Sequence, residues 1–261
     1  MTQEADFGRR FGGIARLYGN DALQRFQQAH LCVVGIGGVG SWAAEALARS
    51  GIGRITLIDL DNVAESNVNR QIHALGDEFG KAKVAAMAER IHAINPQCQV
   101  TQIEDFVTLD NLDATLGGGY DFVIDAIDSA KTKAAMIAWC KRHQVKLIVS
   151  GGAGGRVDPT RIQLADLAKT TQDPLLARVR TLLRREYGFP KDPKKKFGVD
   201  CVFSSEPLQQ PNVGATCDVD AGAQHPAGLN CAGYGSSMPV TATFGMAMVA
   251  SALQSLAAAR S

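Results

Sequence analysis

Gly35-Ile36-Gly37-Gly38-Val39-Gly40 spells G-x-G-x-x-G between a short apolar run, Leu31–Gly35, and a helical stretch from Ser41 to Arg49. A phosphate-binding turn needs this context. Glycines let the backbone approach an anion, and a helix N-terminus offers N–H groups and the positive end of its dipole. Asp59 stands 19 residues after Gly40, at the end of the next apolar run, where a carboxylate can accept from ribose hydroxyls. The pairing predicts nucleotide binding; a glycine turn needed only for packing is the bland alternative.

The glycine motif alone does not separate NAD from ATP. The next segment, LDNVAESNVNRQIH, holds Asp61, Asn67, Arg70 and Gln71, and Gly80-Lys81-Ala82-Lys83 follows. A dinucleotide site has no general need of two further cations, whereas Arg70 and Lys83 could neutralise triphosphate oxygens. Either residue alone reads as readily as a solvated surface cation. Ile124-Asp125-Ala126-Ile127-Asp128-Ser129 ends another strand. Strand C-termini line the ligand crevice of open α/β sheets, so Asp125 and Asp128 could face the phosphates, with Asp128 a candidate Mg²⁺ ligand. A helix N-cap at Asp128 or Ser129 is the competing reading.

These residues need a scaffold, and the first 150 residues supply its rhythm. Apolar runs at Leu31–Gly35, Ile55–Asp59, Tyr120–Ala126 and Lys146–Ser150, and the alternating Gln99–Ile103, read as strands. Helical patterns at 41–49, 78–94 and 131–143 lie between them. Gly51 closes the first of these helices and Asn95-Pro96 the second. The alternation predicts a Rossmann-like, doubly wound α/β sheet, with residues 9–155 as nucleotide-binding core. Residues 156–261 read as a less regular C-terminal part: a strand at 161–164, a helix at 174–187, a Pro- and Gly-rich stretch to about 237, and a final helix. Gly151–Gly155 reads as an ordinary turn or as a carbonyl cluster for a monovalent cation.

Composition excludes several classes. Hydrophobic residues make up 46% and charged residues 20% of 261, which suits a folded domain rather than a disordered chain. A net charge of +1 gives no bulk drive toward nucleic acid or membrane. One run departs from that balance. Arg178, Arg180, Arg184, Arg185, Lys191, Lys194, Lys195 and Lys196 face only Glu186 and Asp192 in sequence. It reads as a solvated helix face or as a track for an RNA backbone, with Tyr187, Phe189 or Phe197 available to stack on unpaired bases. The six cysteines form no C-x-x-C pair, so no zinc site of usual spacing is expected, and the default is a reduced, cytoplasmic protein. Cys32 reads as core. Cys201, Cys217 and Cys231 lie in the irregular third, where reactivity would require exposure and a lowered pKa. From Pro239 to Ala259 no residue is charged, a length of about 20 residues that matches a membrane span. Its many small residues favour a buried or dimer-interface helix.

Taken together, GIGGVGSWAAEALARSGIG, ITLIDLDNVAESNVNRQIHA, GKAK and IDAIDS resemble the adenylation domain of ubiquitin-activating-type enzymes, the family of MoeB, ThiF and HesA. The resemblance implies ATP–Mg²⁺-dependent conversion of a carboxylate into an acyl-adenylate. By that likeness Gly35, Gly37, Gly38 and Gly40 cradle the nucleotide and Asp59 holds the ribose. Asn67, Arg70 and Lys83 contact phosphates, Asp128 is associated with magnesium, and Asp61, Gln71 and Ser129 lie near the nucleotide. MoeB and ThiF carry two C-x-x-C zinc pairs that this chain lacks. Their N-terminal segment places an arginine in the partner subunit's site, where this chain has Gly13; Arg10 and Arg16 are the nearby alternatives.

RFGGIARLYG, NRQIHAL, GGAGG-x-x-DPT, VDCVFSSE and VTATFG extend the likeness over roughly residues 9–257 to the branch of that family that acts on tRNA. This implies ATP-dependent cyclisation of threonylcarbamoyladenosine beside the anticodon, a homodimer, and a possible sulfur-transfer protein partner. The competing readings are activation of a ubiquitin-like sulfur carrier, a non-catalytic nucleotide sensor, and an NAD oxidoreductase. No residue reads as a convincing general base; His73, near Arg70, reads as structural.

Overall fold

The structure, a computed structural model, describes residues 6–209 and 234–258; Cys217 and Cys231 lie outside the described residues. Two helices come first, α1 (Phe7–Tyr18) and α2 (Asn20–Gln28), hinged at Gly19. The alternating part follows as β1 (His30–Val34), α3 (Gly40–Arg49), β2 (Arg54–Ile58), α4 (Lys83–Ile94), β3 (Gln99–Ile103), α5 (Leu112–Leu116), β4 (Phe122–Asp125), α6 (Ala130–Arg142) and β5 (Lys146–Ser150). The last third contributes β6 (Ile162–Asp166), α7 (Pro174–Glu186), β7 (Asp200–Ser204) and α8 (Met238–Ala258).

All seven strands form one sheet in the order β3-β2-β1-β4-β5-β7-β6. Every pairing is parallel except β6 with β7 at the edge. The alternation of side chains along β1 assigns the layers. Leu31 and Val33 join Ile55, Leu57 and Ile124 under α3, α4 and α8. Cys32 and Val34 turn the other way, onto Met136, Trp139 and Cys140 of α6. Farther along that second face, Val149, Cys201 and Phe203 pack against Leu176, Val179 and Leu183 of α7. Helices on both faces of a mainly parallel sheet make this a doubly wound α/β fold.

Two elements differ from the sequence expectations, α1, α2 and α5 have no counterpart in them, and the final helix is buried as expected. The helix expected from Glu78 starts at Lys83, because Gly80 is left-handed (φ 85°) and Asn62 bridges Ala82. β7 was read as part of an irregular stretch; it is an interior strand only five residues long, closely preceded by Pro, Lys and Gly. The apolar C-terminal segment is the one described helix long and apolar enough to cross a membrane. It is a core element here: Val240, Phe244, Met248, Val249, Ala252 and Leu253 are buried. A Cβ on Gly245 would stand 2.6 Å from the Val39 carbonyl oxygen, so glycine allows α8 to close on α3.

Candidate active site

The strand order reverses between β1 and β4, and the crevice at such a switch point is where open α/β sheets bind ligands. Two loops meet there. After β1, Gly35 takes φ 85° and donates its N–H to the Ile58 carbonyl at 2.9 Å. Gly40 starts α3, and a Cβ on it would lie 1.7 Å from the Gly35 carbonyl oxygen, so only glycine permits this turn. After β4, Ala126 and Ile127 press on the same turn, within about 3 Å of where a Gly35 Cβ would be. Nothing lies within 4 Å of a Cβ built on Gly37, which therefore borders open space at the helix N-terminus.

Asp59 is buried at the end of β2 and ties the turn together. One oxygen accepts the Ile36 N–H at 2.6 Å, the other the Asp61 N–H at 2.8 Å. Burial raises its pKa, while Lys83 and these N–H groups oppose the shift. Its free lone pairs remain for a ribose hydroxyl, since a carboxylate offers about four acceptor sites. Lys83, buried at the first turn of α4, reaches Asp61 at 2.6 Å.

Asn67 accepts the Ala64 N–H at 3.2 Å and so shapes the 3-10 turn that leads to Arg70. The Arg70 stem lies against Gly38, with Cγ 3.3 Å from a built Cβ there. Its Nη1 donates to the Ser66 carbonyl at 2.7 Å and to Asn69 at 3.0 Å, and its buried Nε has no partner. Trp42 Nε1 donates to the Arg70 carbonyl at 2.9 Å, fixing the backbone beneath the guanidinium. Sequence reasoning missed that tryptophan; its signal was an amphipathic side chain two residues past the glycine turn. Gln71 is buried with an unpartnered Oε1. His73 is buried with neither ring nitrogen bonded, and burial, then Lys83 and Arg90, lower its pKa to about 4. A neutral, enclosed imidazole fits the structural reading.

Asp125 and Asp128 part company. Asp125 is wholly buried and pairs with the equally buried Lys133 at 2.7 Å. It also accepts the Ile127 N–H at 3.2 Å. It therefore anchors its loop, and its burial leaves it no exposed oxygen. Lys133 was not foreseen; one more lysine on a helix carries no sign of its buried partner. Asp128 is exposed two residues past Ala126 and free of hydrogen bonds among the described residues. Ser129 is the N-cap of α6, accepting the Thr132 N–H at 3.4 Å, as the competing reading held. Among the described residues no three or more His, Cys, Asp or Glu side chains gather as a metal cage. A lone accessible carboxylate beside a phosphate-binding turn suits Mg²⁺, which binds through one or two carboxylates plus phosphate oxygens.

The carbonyl-cluster reading of Gly151–Gly155 has a specific answer. The buried Arg156 guanidinium donates to the carbonyls of Gly152 (3.0 Å), Gln172 (2.7 Å) and Glu206. Asp173 accepts the Gly152 N–H at 2.9 Å. Within Gly151–Gly155 this arginine engages the Gly152 carbonyl. The basic run divides too. Arg180 bonds Thr170, Arg184 lies over the Phe197 ring at 5.1 Å, and Arg185 pairs with Glu186. Arg178, Lys191, Lys194, Lys195 and Lys196 are exposed. The proposed stacking aromatics turn inward: Phe197 is buried, and Phe189 packs edge-on against it. Cys201 is buried among charged groups, and its burial pushes the thiol pKa well up, opposite to a reactive cysteine. Arg10 caps the C-terminus of α4 through the Ala93 and Ile94 carbonyls, whereas Arg16 is exposed.

Fold and site define a class, and the chain belongs to the ThiF family, whose model matches residues 12–261. Within it, the chain is 57% identical over 252 residues to the tRNA threonylcarbamoyladenosine dehydratase of Escherichia coli (strain K12), covering 96% of this chain and 94% of that protein. It is 51% identical to the protein of the same name from Haemophilus influenzae, over 98% of this chain and 96% of the relative. The solved structure of the E. coli tRNA N6-threonylcarbamoyladenosine dehydratase, TcdA, in complex with ATP superposes with a TM-score of 0.86 at 54% identity, covering 96% of this chain and 94% of that one.

Proposed function

We propose that this protein is an ATP-dependent tRNA threonylcarbamoyladenosine dehydratase that activates the threonyl carboxylate as an adenylate and closes it onto its own ureido nitrogen. The observation that carries the chemistry is the arginine laid along the glycine turn at the switch point, with a buried, unpartnered Nε. The near full-length likeness to dehydratases supports the substrate.

The carboxylate oxygen attacks the α-phosphorus of ATP, the α–β bridging bond breaks, and pyrophosphate leaves. The ureido nitrogen then attacks the activated carbonyl, AMP departs with the bond electrons, and the nitrogen loses its proton. One water is lost from the substrate overall. The second step is intramolecular, so the substrate supplies its own proximity and no enzyme nucleophile is needed. In this reading the turn at Gly35–Gly40 and Asp59 seat the nucleotide. Arg70 and Lys83 stabilise negative charge growing on the departing pyrophosphate. Lys83 is held ready by Asp61. Asp128 would hold Mg²⁺, which supplies charge neutralisation at the phosphates. A monovalent cation at Gly151–Gly155 would use carbonyls other than that of Gly152, which Arg156 serves.

The same reading makes the protein a cytoplasmic homodimer. Arg16 is the arginine offered to the partner's site, since Arg10 is committed to α4. The exposed cations of the basic run contact tRNA. A sulfur-transfer protein is a further partner suggested by the family likeness. The test is AMP release from ATP and Mg²⁺. Release stimulated by tRNA bearing threonylcarbamoyladenosine, and absent with tRNA lacking it, supports the reading. Release stimulated only by a carrier protein ending in Gly-Gly overturns it.

A further inference from the structure

β4, β5 and β7 run parallel as neighbours, so their starts share the end of the sheet opposite the nucleotide crevice. An open cleft of about 500 Å³ lies at that end, lined among others by Phe122, Lys141, Lys146, Gly198, Asp200 and Ser255. Two lysines reach into it from different elements. Lys141, on the last turn of α6, donates to the Gly198 carbonyl at 3.2 Å. Lys146, the first residue of β5, donates to Ser255 Oγ at 3.1 Å. Both acceptors are neutral, and neither ammonium is in an ion pair among the described residues. Asp200 is the one carboxylate in the lining, and it pairs with neither lysine.

The exposed basic run leads along the chain into the cleft's lining. Gly198 lies two residues past Lys196, and its turn is pinned by Asp166, which accepts the N–H groups of Phe197 (2.9 Å) and Gly198 (2.7 Å). Lys194, Lys195 and Lys196 are exposed just before this pinned turn. Asp128 lies just before the start of α6 and Lys141 at its end. A helix of 13 residues is roughly 20 Å long, a separation that one arm of a folded RNA can bridge.

We propose that this lysine-lined cleft binds backbone phosphates of the tRNA stem while the modified loop occupies the nucleotide crevice at the other end of the sheet. The proposal rests on the tRNA reading above and adds a second contact site to it. Phosphate is the ligand the chemistry selects: two exposed ammonium groups from different elements, each outside any ion pair among the described residues and bonded only to a neutral oxygen.

The test is tRNA binding across a salt series for the unaltered protein, Lys141→Gln/Lys146→Gln and Lys141→Arg/Lys146→Arg. Both lysines are exposed, so melting temperature and ATP affinity should not move. The glutamine pair should weaken binding roughly tenfold at low salt and make the log–log salt slope shallower by about 1.5 to 2. The arginine pair should restore both. Unchanged affinity and slope in the glutamine pair overturn the cleft proposal alone. Failure of the unaltered protein to bind tRNA at all overturns the tRNA reading and the cleft with it.

Discussion

Arg70 shows how packing can hold a surface-type residue in place at the glycine turn. Its stem lies against the glycine turn and Trp42 holds its backbone, so the guanidinium is positioned by the fold itself. Burial lowers its pKa, which reflects the cost of holding that charge partly out of water until an anion offsets it. Arg70→Ala should therefore reduce AMP formation by about 10² to 10³ with little change in melting temperature. Turnover near the wild-type rate would remove Arg70 from the mechanism. His73 makes a pH prediction. Its folded pKa is about 4, against 6.5 for an ordinary imidazole, because of burial first and Lys83 and Arg90 next. Between these values the unfolded chain binds the extra proton, so stability is lost as pH falls from 6.5 toward 4. The loss is on the order of 3 kcal/mol. Unfolding measured across this range should show a flatter profile in His73→Leu, and an identical profile would refute the assignment. The glycines, Asp59, Arg70 and Lys83 could be singled out from sequence because nucleotide chemistry would dictate residue type and spacing. The burial of Asp125 and the inward turn of Phe197 could not, since both depend on what α6 and α7 bring to them.

At the scale of elements, the loop between β4 and α6 is held by a fully buried ion pair, Asp125 with Lys133. Such a pair is weak evidence of net stability, but breaking it strands a charge. Lys133→Met should cost about 3 to 5 kcal/mol in denaturant unfolding. Adding Asp125→Asn should recover much of that loss; a double variant as unstable as the single would contradict this account. Most of the alternation through β5 was readable because β1, β2, β4 and β5 are apolar runs, β3 alternates, and Gly51 and Asn95-Pro96 close two of the helices. β7 escaped because a five-residue buried strand beside Pro, Gly and Lys carries no period of its own. The start of α4 was misplaced because Gly80 and the Asn62–Ala82 bridge impose a break that helix propensity alone does not show.

At the scale of the molecule, the sheet separates two tasks. Its strand-end crevice gathers the glycine turn, Asp59, Arg70, Lys83 and Asp128, while its outer helix layer carries the exposed cations. The basic run was legible as charge, but which cations are free was decided by packing. Arg180 and Arg184 are spent on Thr170 and Phe197, leaving Arg178 and Lys194–Lys196 outside. Binding of tRNA should therefore survive loss of Arg180 better than charge reversal of Lys194–Lys196. A comparison of salt-dependent affinities checks this, and equal losses would contradict it.

The most direct test of the central claim is mass spectrometry of nucleosides from tRNA bearing threonylcarbamoyladenosine, after incubation with this protein, ATP and Mg²⁺. The account predicts loss of one water from that nucleoside, dependent on ATP and matched by AMP release. An unshifted nucleoside with active, ATP-binding protein would contradict it.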